Sequence, residues 1–170
     1  MNRNIGSQTG FTLLEVLIAV TILSLGLLGL GAMQAASLRY NQHAHLRSQA
    51  TMIASDIIAR MRTNQAGVAA GNYDAVDTRN GAPDDQNCDT SLCSPAQIAN
   101  QDIREWANHF FDVYNLGSQY SPALPANAYG TVTKNAGVFT VSINWTEVQA
   151  MNNSVDSDNP TKSFSIDVVL

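Results

Sequence analysis

The 170-residue sequence predicts an α+β fold in which one long N-terminal helix precedes a small antiparallel sheet. No charged side chain occurs between Val16 and Leu38, a run rich in Leu, Ile, Val and Ala that favours a helix. Residues 139–146 alternate strictly between apolar and polar side chains, as a half-buried antiparallel strand does. The helical pattern comes first and the strand patterns come last, which is typical of an α+β fold.

The uncharged run is long enough to cross a membrane, since a helix rises about 1.5 Å per residue and the hydrocarbon core is about 30 Å thick. Glu15 lies at the front of this run. A carboxylate in lipid costs about 2.5–3.5 kcal/mol at a helix centre and less near the interface, so Glu15 needs a partner. Cleavage between Gly10 and Phe11 would create an α-amine four residues before Glu15, on the same helix face. A secretory signal peptide differs, because its cleavage site follows its apolar core.

The residues from Gly10 to Glu15, Gly-Phe-Thr-Leu-Leu-Glu, resemble the class III leader and processing site of type IV pilins and type II secretion pseudopilins. The resemblance implies that a prepilin peptidase cuts after Gly10 and methylates the amine of Phe11. It also implies that Glu15 aligns subunits during assembly, by pairing with the Phe11 ammonium of a neighbouring subunit. The alternative is an uncleaved membrane anchor that tolerates an acidic residue near the interface.

Three further segments resemble the PilV family of minor pilins, also called type IV pilus modification proteins. Residues 24–34 are similar to its Gly- and Leu-rich stretch closed by Gln, and residues 60–64 to its Arg-Met-Arg-x-Asn pattern. Residues 93–106, Cys-Ser-Pro-Ala-Gln-Ile-Ala-Asn-Gln-Asp-Ile-Arg-Glu-Trp, are similar to a further pattern of this family. The resemblance implies a pilin-like fold and a role in priming pilus assembly within a minor-pilin complex at the pilus tip. The alternatives are a minor pseudopilin of a type II secretion system and a membrane-anchored periplasmic enzyme or binding module.

The chain is predicted to have four segments. Residues 1–10 are the cleaved leader, 11–38 the membrane-spanning half of the helix, 39–64 its amphipathic half, and 65–170 a periplasmic pilin-like domain. The resemblance implies location in the inner membrane of a Gram-negative bacterium before assembly, and in the pilus at the cell surface afterwards. The implied partners are the prepilin peptidase, the inner-membrane assembly platform, other minor pilins and the major pilin.

The later elements follow from local patterns. The amphipathic half of the long helix has apolar side chains at steps of three and four: Leu46, Ala50, Ile53, Ile57 and Met61. Asp56 and Arg60 lie off this stripe, four residues apart with the acid first, which predicts a favourable pair on the helix surface. A second helix starts with Ser94 as N-cap, Pro95 at its first position and Gln97 placed to complete a capping box. Its apolar side chains predict that it ends before Gly117. They are Ala99, Ile103, Trp106, Phe110 and Val113.

We expect a loop over 64–89, strands over 131–133, 138–146 and 164–170, a turn at 134–137, and a polar connection over 149–162.

Cys88 and Cys93 are the two cysteines of the chain. Their spacing is wrong for a redox Cys-x-x-Cys motif, and no second pair or nearby His completes a zinc site. Because the resemblance implies export to an oxidising compartment, we predict a structural disulfide between them.

The composition argues against several other functions. The formal net charge is −5 and there is no Lys or Arg cluster, so nucleic acid is not an expected partner. No nucleophile motif, Walker loop or group of metal ligands occurs, and no second carboxylate is placed to act with Glu15. We therefore expect no enzymatic activity, cofactor or metal. The Asp84-Asp85 pair and the aspartates at 156 and 158 lack the glycine and closing Glu of a calcium-binding helix-loop-helix.

Overall fold

The computed structural model of the protein describes Gly10, residues 12–146 and residues 161–170. The predicted long helix is α1, Leu13–Thr63. The elements that follow are α2 (Gln65–Ala69), β1 (Ala75–Asp77), α3 (Pro95–Ala107), β2 (Tyr129–Asn135), β3 (Val138–Trp145) and β4 (Lys162–Val168). The predicted α+β class is confirmed, with its long N-terminal helix, its antiparallel sheet and its disulfide. The short helix predicted after the disulfide is α3.

The chain forms two compact units, Met1–His43 and Ala44–Leu170, and α1 contributes to both. Every described residue before position 44 is exposed, including the large apolar side chains of the uncharged run. By its length and composition, this helix can cross a membrane. An exposed apolar surface of this size is not stable in water, so lipid or other helices must cover it.

The second unit contains a four-stranded antiparallel sheet in the order β1-β2-β3-β4. Val132 of β2 lies opposite Val141 of β3, which lies opposite Ile166 of β4. Strands β2 and β3 are joined by Ala136 and Gly137, which both have positive φ angles, 49° and 83°. Such a two-residue turn matches the right-handed twist of the strands it joins. The predicted strands and turn are therefore present, whereas residues 147–160, which hold most of the predicted polar connection, lie outside the described residues.

The core of this unit lies between the later part of α1, α3 and the inner face of the sheet. The predicted apolar stripe of α1 is confirmed, because Ala50, Ile53, Ile57 and Met61 are buried and Leu46 is half-buried. Along β3, every second residue is buried. The burial of these side chains supplies the main driving force for folding of the unit.

Trp106 occupies the centre of the core. Its ring is fully buried, lies edge-on to Phe110 with ring centroids 5.3 Å apart, and donates from Nε1 to the Ile53 carbonyl of α1 at 2.9 Å. Gly130 of β2 lies directly against the two rings. A Cβ atom at Gly130 would lie 2.4 Å from Cη2 of Trp106 and 2.7 Å from Cζ of Phe110. Only glycine permits this close approach of a strand to an aromatic pair.

Helix α3 ends at Ala107, so the prediction that it continues to the residue before Gly117 was wrong. Polar side chains bind the backbone that a longer helix would need. Asn108 Oδ1 accepts the N–H of Val113 at 3.1 Å, and the Asp112 carboxylate accepts the N–H of Leu116 and of Gly117, at 2.9 and 2.7 Å. Such side-chain bonds compete with helical hydrogen bonds. Phe110 still reaches the core, but from a turn.

The segment 64–89, predicted as a loop, also contains the five-residue helix α2 and the three-residue strand β1. Both elements are too short to give a periodic pattern of apolar residues. Strand β1 exists because it pairs with β2, where Val76 lies opposite Val132. This long-range pairing is not visible in the local sequence.

Candidate functional site

Helix α1 begins two residues after the predicted cleavage site. Thr12 Oγ1 accepts the N–H of Glu15 at 3.3 Å, and the Thr12 carbonyl accepts the N–H of Glu15 and of Val16 at 3.1 and 3.3 Å. The order Thr-x-x-Glu at a helix start is the capping-box pattern, and Thr12 supplies its first half. In the sequence, Glu15 is noticeable only as a charge, and the role of Thr12 in starting the helix becomes visible only in the structure.

Glu15 lies in the first turn of α1 and is exposed. The partial positive charge of a helix N-terminus favours a carboxylate at this position. Among the described residues, no basic side chain lies within ion-pair distance of Glu15. Gly10 is exposed and precedes the helix, whereas Phe11 lies outside the described residues. The pairing of Glu15 with a methylated amine of a neighbouring subunit therefore stays a prediction.

A second polar site lies where α1 meets α3. Arg60 contacts three carboxylates, Oδ1 of Asp56 at 3.1 Å, Oε2 of Glu105 at 2.6 Å and Oδ1 of Asp102 at 3.5 Å. Asp56 lies four residues before Arg60 on α1, the pair expected from the sequence, whereas the other two acids belong to α3. One guanidinium, with five donors, thus connects two helices.

Asn64 and Tyr73 extend this site. The buried Asn64 side chain donates from Nδ2 to the Tyr73 hydroxyl at 3.0 Å and to the Pro95 carbonyl at 2.8 Å, and its Oδ1 accepts the N–H of Gly67 at 3.1 Å. The Tyr73 hydroxyl in turn donates to Oδ2 of Asp102 at 2.5 Å. We refer to the connected group as the polar latch, which comprises Asp56, Arg60, Asn64, Tyr73, Asp102, Glu105 and His109.

The latch shifts the pKa values of the Asp56 and Asp102 carboxyl groups in opposite directions. The hydrogen bond from His109, 3.2 Å away, and the charge of Arg60 outweigh burial and hold the pKa of Asp56 below its usual value. Burial raises the pKa of Asp102 despite its contacts with Tyr73 and Arg60. Burial next to Asp102 also raises the pKa of Tyr73. The hydroxyl of Tyr73 is therefore a stable hydrogen-bond donor at neutral pH.

We expect the change Asp56→Asn to lower the free energy of unfolding at neutral pH by about 1 kcal/mol, because it removes a charge from two half-buried contacts. Because the folded pKa of Asp56 is lowered, its ionised form stabilises the fold above the unfolded pKa of about 3.9. That contribution is lost as the pH falls through the folded pKa. Thermal unfolding of the detergent-solubilised chain at pH 7 and at lower pH measures it.

The exposed Asp84 gives a matched control, since its side chain forms none of the hydrogen bonds or ion pairs found among the described residues. We expect Asp84→Asn to unfold like the original chain at both pH values, and Asp56→Asn to differ mainly at pH 7. An equal loss for Asp56→Asn at both pH values would contradict this assignment.

The latch gives a structural reason for the segment Arg60–Asn64, whose sequence resembles a family pattern. Arg60 binds the α3 acids, Met61 is fully buried, Arg62 is exposed, and Asn64 starts α2. The signal in the sequence was the Asp56–Arg60 spacing. The contact between Arg60 and Glu105 joins residues 45 positions apart, which no local pattern predicts.

The third site is the loop closed by Cys88 and Cys93, which form the predicted disulfide. Ser94 follows immediately and caps α3. Its Oγ accepts the N–H of Gln97 at 3.4 Å, and its own N–H donates to Oε1 of Gln97 at 3.0 Å. This is the capping box that the sequence predicted. Within the described part of the chain, no three His, Cys, Asp or Glu side chains come together in a way that would hold a metal ion.

Comparison with known families gives two adjoining matches. The prokaryotic N-terminal methylation motif matches residues 5–31, and the Tt1218-like family, described as type IV pilin Tt1218, matches residues 32–104. No curated protein and no solved structure matches the chain. The first match covers Gly10 to Glu15, and the second covers the latch residues up to Asp102. The chain thus has a pilin-like fold, matches the N-terminal methylation motif over residues 5–31, and is similar to type IV pilins over residues 32–104.

Proposed function

We propose that the chain is a minor pilin of the PilV type, which helps to prime type IV pilus assembly as part of a minor-pilin complex at the pilus tip. The observation that carries the proposal is the start of α1. A helix capped by Thr12 begins just after Gly10 and Phe11, has Glu15 in its first turn, and exposes an uncharged apolar surface behind it. Such a helix suits a subunit that is first held in lipid and then packed among other helices.

The proposed sequence of events starts in the inner membrane, with residues 1–10 in the cytoplasm and residues 65–170 in the periplasm. A prepilin peptidase cuts between Gly10 and Phe11 and methylates the new amine, which keeps its positive charge. Segment 11–38 then leaves the lipid for the filament, where Glu15 pairs with the Phe11 amine of a neighbouring subunit. The pair neutralises a charge that lipid solvates poorly, so subunits are driven into alignment.

Similarity to the PilV family supports a minor role over a major one. The similar segments are 24–34, 60–64 and 93–106, and the last two contain latch residues and the cap of α3. The latch fixes α3 on α1, so segments 60–64 and 93–106 both contribute to the same contact between the two helices. The main competing function, a minor pseudopilin of a type II secretion system, has the same fold and would act in a different machine.

Deletion of the gene separates these two functions. We expect the deletion strain to form about tenfold fewer pili and to lose twitching motility, with no change in the proteins that it secretes, since a priming complex determines how many filaments start. Pili are counted by electron microscopy and secreted proteins by mass spectrometry. A plasmid copy of the gene should restore the pili.

Co-purification is the direct test of the proposed complex. The tagged full chain, extracted in mild detergent from a pilus-producing strain, should bring other minor pilins with it. Loss of secretion with normal pili would favour the pseudopilin. Normal pili and normal secretion, with no other pilin in the extract, would overturn the proposal.

A further inference from the structure

The disulfide loop 88–93 holds one apolar side chain fully in solvent. Leu92 is exposed to 104% of its reference value and is the most exposed large apolar residue described. Single exposed leucines are common on protein surfaces. Leu92 differs from them because the loop around it is closed covalently and fixed by hydrogen bonds, so the side chain is held away from the core.

The loop is fixed internally. The Asn87 carbonyl accepts the backbone N–H groups of Thr90 and Ser91, both at 3.1 Å, and also the two hydroxyls of these residues. The Asn87 N–H donates to Oδ1 of Asp85 at 2.9 Å, and Asn87 itself has a positive φ of 53°. Together with the Cys88–Cys93 bond, these contacts leave the loop few alternative conformations.

The base of the loop is anchored to α3. Gln86 donates its N–H to Oε1 of Gln101 at 3.0 Å, and Arg104 donates to the Pro83 carbonyl at 2.9 Å. A loop ordered before binding loses less conformational entropy when a partner binds to it. An apolar side chain on such a frame is suited to act as the central anchor of an interface.

The chain segment that carries Leu92 is acidic, and Arg104 contacts it at its base, at the Pro83 carbonyl. Asp89 lies within the loop, Asp84 and Asp85 precede it, and all three are exposed. Between Arg79 and Arg104 the sequence contains no Lys or Arg. A partner must therefore offer an apolar pocket with basic side chains at its border, since like charges would repel it. A second copy of this chain fits poorly, because its net charge is −5.

We propose that the loop 88–93 docks onto a different pilin-type subunit, with Leu92 inserted into an apolar pocket bordered by Lys or Arg. This inference rests on the proposed function, because a minor-pilin complex brings the periplasmic domains of different subunits together. It assigns the disulfide a role in recognition, in addition to its restraint of the segment before α3.

The test uses the full chain in pilus-producing cells, with photoreactive p-benzoylphenylalanine at position 92. The matched control carries the same group at Leu116, which is 48% exposed and lies outside the loop. We expect light to crosslink position 92 to another pilin-type chain, identified by mass spectrometry, and position 116 to give no such product. A product with the same chain only, with a protein that is not a pilin, or no product at position 92 would overturn the inference.

The captured subunit then serves as the probe in detergent solution. We expect Leu92→Ala to weaken its binding about tenfold, as expected for loss of one buried leucine side chain, and Leu116→Ala to have no effect. Asp89→Asn should weaken binding less and reduce its dependence on salt. Equal binding by the Leu92→Ala chain would contradict the inference.

The failure of the docking role can be distinguished from the failure of the proposed function. If the original chain is absent from pili and from the minor-pilin complex, the proposed function has failed. If the Leu92→Ala chain is incorporated normally, only the docking role is refuted.

Discussion

Replacement of Glu15 by Ala is expected to reduce incorporation of the chain into pili by about tenfold or more, while cleavage after Gly10 continues. A tenfold change corresponds to about 1.4 kcal/mol, and a charged pair from which water is excluded contributes more than this. The change leaves the first turn of α1 able to form, because the Thr12 hydroxyl binds the backbone N–H of residue 15 and not its side chain. Incorporation is measured by quantitative immunoblotting of sheared pili against the membrane fraction.

Two further variants identify the cause. Glu15→Asp keeps the charge on a shorter side chain and should retain part of the incorporation, whereas Glu15→Gln keeps most of the shape and should behave like Glu15→Ala. If Glu15→Ala enters pili at the original level and the number of pili is unchanged, Glu15 does not align subunits. If the Ala variant is not cleaved, its defect lies in processing and the proposed division of roles is wrong.

Gly130→Ala should cause the largest loss of stability among single-methyl changes in the second unit. The added Cβ would lie 2.4 Å from Trp106 and 2.7 Å from Phe110, distances that require the strand or the rings to move. Overpacking of a core costs about 1–3 kcal/mol, and more where the neighbours cannot move. Trp106 has little freedom, since its indole donates to the Ile53 carbonyl. Thermal unfolding of the full chain in detergent measures the loss.

Gly29→Ala is the matched control, because a Cβ at Gly29 has no described atom within 4 Å outside its own helix turn and its chain neighbours. We expect this variant to unfold like the original chain in detergent. A Gly130→Ala chain with the original unfolding temperature would show that the rings do not pack on β2 as described.

The sequence predicted those parts of the fold that depend on local chemistry. Alternation along 139–146 predicted β3, the stripe from Leu46 to Met61 predicted the buried face of α1, and Ser94 with Gln97 predicted the cap of α3. In each case the pattern that led to the prediction lies within one short stretch of the chain. The disulfide was predictable because the chain has two cysteines and the resemblance implies export to an oxidising compartment.

The end of α3 was missed for a local reason, whereas the other missed parts depend on contacts between distant residues. The end of α3 was wrong because Asn108 and Asp112 bind the backbone ahead of them, while Phe110 keeps the apolar period through a turn. The latch was predicted only for the Asp56–Arg60 pair, since the acids of α3 reach Arg60 through tertiary packing. The sequence around Gly130 does not show that glycine is required there, because the requirement comes from the contact with Trp106.

The candidate sites also include features that the local sequence predicts and features that only the structure reveals. Gly10, Phe11 and Glu15 were identified from a short pattern, and the structure adds the Thr12 cap. The exposure of Leu92 could not be predicted, because the sequence of the loop does not indicate whether a leucine folds inward. The Asn87 carbonyl and the disulfide hold the loop in one conformation, which becomes visible only in the folded structure.

Peptide mass spectrometry of the chain recovered from sheared, washed pili shows whether its N-terminus has been cleaved and methylated. We expect an N-terminal peptide that begins at Phe11 and carries one methyl group on its amine, so that each subunit presents a positive end to the Glu15 of its neighbour. A chain that begins at Met1 within intact filaments would contradict the account, because the acidic side chain would then be buried without the partner that cleavage provides.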